Sequence, residues 1–184
     1  MVEFLVIGSE SSGKTLLIKK IKNIYDNENN NNEDDIEEDT MATVGVDITT
    51  ISLNNNNKIT LREIGGSMVS RWLTFIDDDN YNVLIFVIDI SNMSSLSTSL
   101  VLLIEMFEIV LKVKKPKNIL ILFNKIDLID ITSQQIARNI LSINEIIIEG
   151  KRNGIIIDIL EGSNIDNTLA LNVIEYIKKY LVII

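Results

Sequence analysis

Eight residues near the start of the chain, Gly8-Ser9-Glu10-Ser11-Ser12-Gly13-Lys14-Thr15, fit the pattern G-x-x-x-x-G-K-[ST]. Such a loop handles phosphate. Its glycines let the backbone curl so that successive N–H groups point at phosphate oxygens. The helix that opens behind it adds partial positive charge. Lys14 supplies a full charge for the β- and γ-phosphates, and the Thr15 hydroxyl is a ligand for Mg²⁺. A second group, Asn124-Lys125-Ile126-Asp127, follows an apolar run. Guanine presents an N1–H and an exocyclic N2 amine on one edge, and the Asp127 carboxylate can accept both. Adenine offers no N2 amine and an acceptor at N1, so it leaves that carboxylate unpaired at a cost of about 1–3 kcal/mol. Lys125 can lay its methylenes over the base plane, and Asn124 can contact the base's other edge or brace the phosphate loop. The tetrapeptide alone is a weak signal, but it gains strength from the phosphate loop about 110 residues before it.

These groups need strands and helices to hold them. Val2–Ile7 reads as a buried strand and Gly13–Tyr25 as a helix with Leu16, Leu17, Ile21 and Ile24 on one face. Val46–Leu53 and Lys58–Ile64 read as a hairpin joined by Asn54–Asn57. Val83–Ile88 and Asn118–Phe123 are continuous apolar runs, as in parallel strands covered on both faces. Ser94–Val113 fits a long helix, with Pro116 separating it from the next strand. Thr132 or Ser133 is expected to cap a helix to about Leu141. Ile155–Ile159 reads as the last strand and Asn164–Leu181 as a closing helix. This βαββ(αβ)n order predicts a six-stranded, mostly parallel sheet with one antiparallel strand and helices on both faces.

Composition narrows the chemistry. The chain has 184 residues, no cysteine and no histidine, which removes thiolates, imidazole ligands and the commonest general base. The net charge is −9, and residues 26–39 hold eight acidic side chains and no basic ones. Outside that tract 18 acidic residues meet 17 basic ones, so no nucleic-acid footprint is expected. The tract is too poor in apolar residues to fold by itself and reads as a solvated insert in a single domain spanning 1–184. No apolar run near the roughly 18 residues of a membrane span is evident. The start Met-Val-Glu-Phe has no basic signal-peptide region and no glycine after the methionine, and without cysteine prenylation and palmitoylation are excluded. A monomeric, cytoplasmic protein without a lipid anchor is the expectation.

The motifs resemble those of Ras-like small GTPases, and of their ADP-ribosylation-factor-like branch in particular. Thr43-Val44-Gly45 is similar to that branch's switch I, where the threonine ligates Mg²⁺ and senses the γ-phosphate. Arg62-Glu63-Ile64-Gly65-Gly66 stands where the branch has its D-x-G-G switch II entry. Lys58–Met68 and Ile119–Leu128 carry the likeness most strongly. The resemblance implies a P-loop NTPase small G domain that binds GTP or GDP with Mg²⁺. The metal would be held by Thr15 and Thr43, and the γ-phosphate sensed by Lys14, Thr43 and the Gly66 N–H. It also implies an exchange factor, a GTPase-activating protein and effector proteins as partners.

Three positions depart from the family pattern. Glu63 replaces the switch II aspartate that holds Mg²⁺ through water. Ser67 stands where the glutamine that orients the attacking water belongs, and its hydroxyl is too short for that reach. The last guanine loop, usually Ser-Ala-Lys, aligns with Asp158-Ile159-Leu160, so that the Ile159 N–H would face guanine O6 and Asp158 would lie near Asp127. These departures keep a rival reading open, an adaptor that holds GTP and scarcely hydrolyses it. An ATP-using phosphoryl-transfer enzyme is disfavoured by Asp127 and by the lack of an evident acceptor-substrate domain.

Overall fold

Six strands form one sheet in the order β2-β3-β1-β4-β5-β6 in the computed structural model. It describes residues 2–30, 41–53, 58–77, 81–112, 118–140 and 142–183. The strands are β1 (Val2–Ile7), β2 (Val46–Ser52), β3 (Lys58–Ile64), β4 (Val83–Asp89), β5 (Asn118–Asn124) and β6 (Ile156–Glu161). The helices are α1 (Lys14–Asn30), α2 (Val69–Asp77), α3 (Leu96–Lys112), α4 (Ile131–Ile140), α5 (Ile143–Arg152) and α6 (Thr168–Ile183). Among the described strands only β2 runs antiparallel, paired to β3 from Val46 opposite Ile64 to Ser52 opposite Lys58. The expected fold class therefore holds, and the joining residues Asn54–Asn57 and Pro116 lie outside the described residues.

The continuous apolar runs behave as two-sided strands. Every residue of β4 is buried. Leu84, Phe86 and Ile88 face one core with α2, α3 and α5, whereas Val83, Ile85 and Val87 face the other with α1 and α6. This period-two division explains why both faces must be apolar. Each fully buried aliphatic or aromatic side chain contributes roughly 1.5–3 kcal/mol relative to exposure. All parallel strands deliver their carboxyl ends to one rim, where the loops after β1, β4, β5 and β6 meet.

The structure corrects several boundaries. Residues 26–30, read as the start of the insert, continue α1, while 31–39 lie outside the described residues. The cap of α4 is Asp130 rather than Thr132 or Ser133; its Oδ1 accepts the Ser133 N–H at 2.8 Å. The hydrogen bonds from Ser133 hold the Asp130 carboxyl below its ordinary range. Helix α5 was not expected, although Ile143, Ile146, Ile147 and Gly150 follow helical spacing. The last strand runs on to Glu161, and α6 opens at Thr168, whose N–H is capped by Asp166 Oδ1 at 3.0 Å. Arg62 sits on inner strand β3 and pairs with Glu3 at 2.6 Å. Met93–Lys112 has the length and hydropathy of a membrane span, contrary to the expectation that no such run exists. In the fold its apolar face, including Leu96, Leu103, Met106 and Val110, belongs to the core.

Candidate nucleotide-binding site

The loop Gly8–Gly13 leaves β1 and turns into α1 at the carboxyl rim of the sheet. Gly13 has φ of 94°, and a Cβ there would strike Asn124 Nδ2, so no other residue fits the turn. Lys14 follows immediately and is buried to 5 % exposure. Its Nζ donates to Gly8 O and Ser9 O, each at 2.9 Å. Desolvation pushes the Lys14 pKa down, opposed by the charges of Glu63 and Glu10. The lysine is thus bent back over its own loop, a charge already stripped of water.

Three oxygens meet beside it. The Thr15 hydroxyl donates to Glu63 Oε1 at 2.6 Å and lies 3.0 Å from the Thr43 hydroxyl, which itself donates to Glu63 Oε1 at 3.1 Å. Three elements supply them: α1, the segment before β2, and the end of β3. A hard divalent cation takes such oxygen ligands, so the donor set fits Mg²⁺. Behind Glu63, the Gly65 N–H donates to Gly45 O at 2.8 Å, which ties the two expected switch segments together. Gly66 packs so closely on the backbone of Glu10 that a Cβ there would collide with Glu10 N. Ile64 is a buried strand residue, and Ser67 is exposed at the 3₁₀ turn Gly66–Met68 that leads into α2. Trp72 on α2 is buried, as a core aromatic should be, and its Nε1 donates to Gly65 O at 3.2 Å.

The second motif closes over the first. Asn124 Nδ2 donates to Ser12 O at 2.8 Å, so this asparagine braces the phosphate loop. Lys125 adopts φ of 66° and Ser11 φ of 60°, left-handed conformations that cost a non-glycine residue about 1–3 kcal/mol. The two are bonded to each other, Lys125 Nζ donating to Ser11 O at 2.9 Å. Lys125 Nζ also pairs with Asp89 Oδ2 at 2.6 Å. Asp127 is exposed on the 3₁₀ turn Ile126–Leu128. A cavity of about 440 Å³ is lined by Glu10, Ser11, Gly13, Lys14, Thr15, Thr43, Glu63, Gly66, Ser67 and Lys125 among others. Two further cavities flank β6, away from these motifs.

Ile159 does not join this group. It lies within β6, paired with Ile121, and Asp158 lines a cavity with Tyr176 of α6, whose phenol is pushed upward by burial first and by the Asp158 charge second. The loop beyond the strand is 162–167. There the Asn164 N–H donates to Asn124 Oδ1 at 3.3 Å and Asn164 Nδ2 to Gly13 O at 2.9 Å. Ile159 therefore stands inside the strand and not in a loop, because β6 continues to Glu161. The available signal was Gly162-Ser163-Asn164, small polar residues directly after an apolar run. Asp89 was likewise missed; it is the first polar residue after the β4 run, where ligands gather.

A model of the ADP-ribosylation factor family matches residues 1–177. The chain belongs to the ADP-ribosylation factor family. It is similar to ADP-ribosylation factor-like protein 16 of Homo sapiens, with 33 % identity over 151 residues, 81 % of this chain and 72 % of that protein. Its fold is shared by the small GTPase Arl6 (BBS3) of Trypanosoma brucei, solved with the bound nucleotide analogue GppNp. The TM-score is 0.71 at 18 % identity, covering 97 % of this chain and 96 % of that one. The mammalian SRP receptor has the same fold at a TM-score of 0.71 and 16 % identity, over 96 % and 98 % of the two chains. As a small GTPase of the ADP-ribosylation factor family, the chain is a guanine-nucleotide-binding switch. The family binds its nucleotide with Mg²⁺, and small GTPases work with exchange factors, GTPase-activating proteins and effectors.

Proposed function

We propose that this GTPase holds GTP or GDP with Mg²⁺ on Gly8–Thr15, reads guanine through Asp127, and hydrolyses GTP very slowly without a partner. The observation that carries the reading is the convergence of Lys14, Thr15, Thr43, Glu63 and Gly66 on one cavity. Lys14 exchanges its two carbonyl partners for phosphate oxygens, and the Gly66 N–H and Thr43 sense the γ-phosphate. Thr15 and Thr43 hold the metal, which would neutralise charge on the β- and γ-phosphates. Asn124 and Asn164 keep the loop in shape, and Lys125 covers the base plane. The loop 162–165 takes the part first assigned to Ile159, supported by its bonds to Asn124 and Gly13. GTP orders the segments around Thr43 and Gly66, and hydrolysis releases them. We place the protein in the cytoplasm, acting as a monomer through partners that load it, activate it and read its state.

Slow hydrolysis follows from Ser67. Its hydroxyl is exposed at the start of the turn before α2 and is too short to orient an attacking water. No histidine exists to act as base, and the Thr15 and Thr43 hydroxyls are taken up in holding the metal. Single-turnover hydrolysis of bound GTP by the purified protein is expected to fall below the ~10⁻⁴ s⁻¹ of an unassisted small GTPase. Acceleration by cell extract would support the switch, with a partner completing the site. No acceleration at all would favour the second reading suggested by Ser67, an adaptor that stays loaded with GTP. Rapid turnover by the protein alone would remove the argument from Ser67.

A further inference from the structure

The side chain at position 63 is 2 % exposed, yet among the described residues none of the ion pairs includes it. Its close polar neighbours are two neutral hydroxyls, those of Thr15 and Thr43. Lys14 is near enough to feel its charge, but the Lys14 ammonium is bonded to Gly8 O and Ser9 O. A buried carboxylate needs a cation or a metal to compensate it. The three oxygens Thr15 Oγ1, Thr43 Oγ1 and Glu63 Oε1 stand 2.6, 3.0 and 3.1 Å apart. Mg²⁺ binds oxygen octahedrally at about 2.0–2.1 Å, which places neighbouring ligands about 3.0 Å apart. The triangle therefore has the size of one face of a Mg²⁺ octahedron.

We infer that Glu63 is a direct ligand of the Mg²⁺, forming a three-oxygen protein face with Thr15 and Thr43. The inference rests on the nucleotide reading above. The extra methylene of glutamate extends the carboxylate towards the hydroxyls, so that it takes the place of a metal-bound water. One oxygen from the β-phosphate and one from the γ-phosphate would occupy two more positions. One position of the six then remains for water. With an aspartate at 63 the shorter arm would restore a water-mediated contact and leave two.

The test uses the full chain loaded with a non-hydrolysable GTP analogue and Mn²⁺ in place of Mg²⁺. Electron–nuclear double resonance in H₂O and D₂O counts the waters on the ion. One water in the wild type and two in Glu63→Asp are expected. Two waters in the wild type, or the same count in both proteins, would overturn the inference, and the wild-type count decides it even if the variant does not fold. Nucleotide affinity is measured separately on the same samples. Normal affinity with two wild-type waters would remove the direct ligand while keeping the nucleotide reading. Absence of GTP binding would remove both.

Discussion

Lys14→Ala is expected to weaken GTP binding about a hundred-fold or more. The ammonium is already buried and held by two loop carbonyls, so most of its desolvation cost is met before any nucleotide arrives. Phosphate oxygens meeting it in that dry setting form charge-assisted hydrogen bonds, each worth about 1.5–3 kcal/mol. Losing roughly 3 kcal/mol lowers affinity by about two orders of magnitude. The fold should survive, because Lys14 itself lines the cavity and its truncation leaves room for water to reach Gly8 O and Ser9 O. The measurement is a titration with fluorescent GTP, accompanied by a melting curve to confirm folding. Unchanged affinity in a folded variant would remove Lys14 from the site.

Asp127 should set the choice of base. It is exposed at a turn whose preceding residue, Lys125, is locked in a left-handed conformation by bonds to Ser11 and Asp89. The turn therefore offers an acceptor pair in a fixed position. GTP donates two hydrogen bonds to it, whereas ATP presents an acceptor and no amine. Leaving these groups unmatched costs about 1–3 kcal/mol each, so GTP should be preferred by roughly a hundred-fold or more. Asp127→Asn should shift the preference towards xanthine nucleotides, because the amide donates where the carboxylate only accepted. Competition against fluorescent GDP reads both effects. Equal displacement by ATP and GTP in the wild type would contradict the assignment.

Much of this was legible in the sequence because the signals were local. The glycines and Lys14 of the phosphate loop are contiguous, and the runs in β4 and β5 are apolar without interruption, which only two-sided burial requires. What stayed hidden depends on contacts distant along the chain. The function of Asn164 follows from its meeting Asn124 and Gly13, at separations of 40 and 151 residues. Neither its type nor its spacing declares that. The end of β6 was equally hard to read, because strand pairing with β5 carries it through Asp158 and Glu161, polar residues that suggest a loop. Position 63 illustrates a third case. The sequence shows that glutamate replaces aspartate, but only the geometry shows its carboxylate reaching both threonine hydroxyls.

This chain is expected to change state with the γ-phosphate, and Trp72 reports that change most directly. Trp72 is the sole tryptophan, buried against Phe86 with ring centroids 6.2 Å apart. Its indole N–H is bonded to Gly65 O, and the Gly65 N–H is bonded to Gly45 O. A γ-phosphate drawing in Thr43 and the Gly66 N–H pulls on both ends of that chain. The emission of Trp72 should therefore differ between the GDP form and the form loaded with a non-hydrolysable GTP analogue. Identical spectra in the two forms, with full occupancy established independently, would contradict the switch.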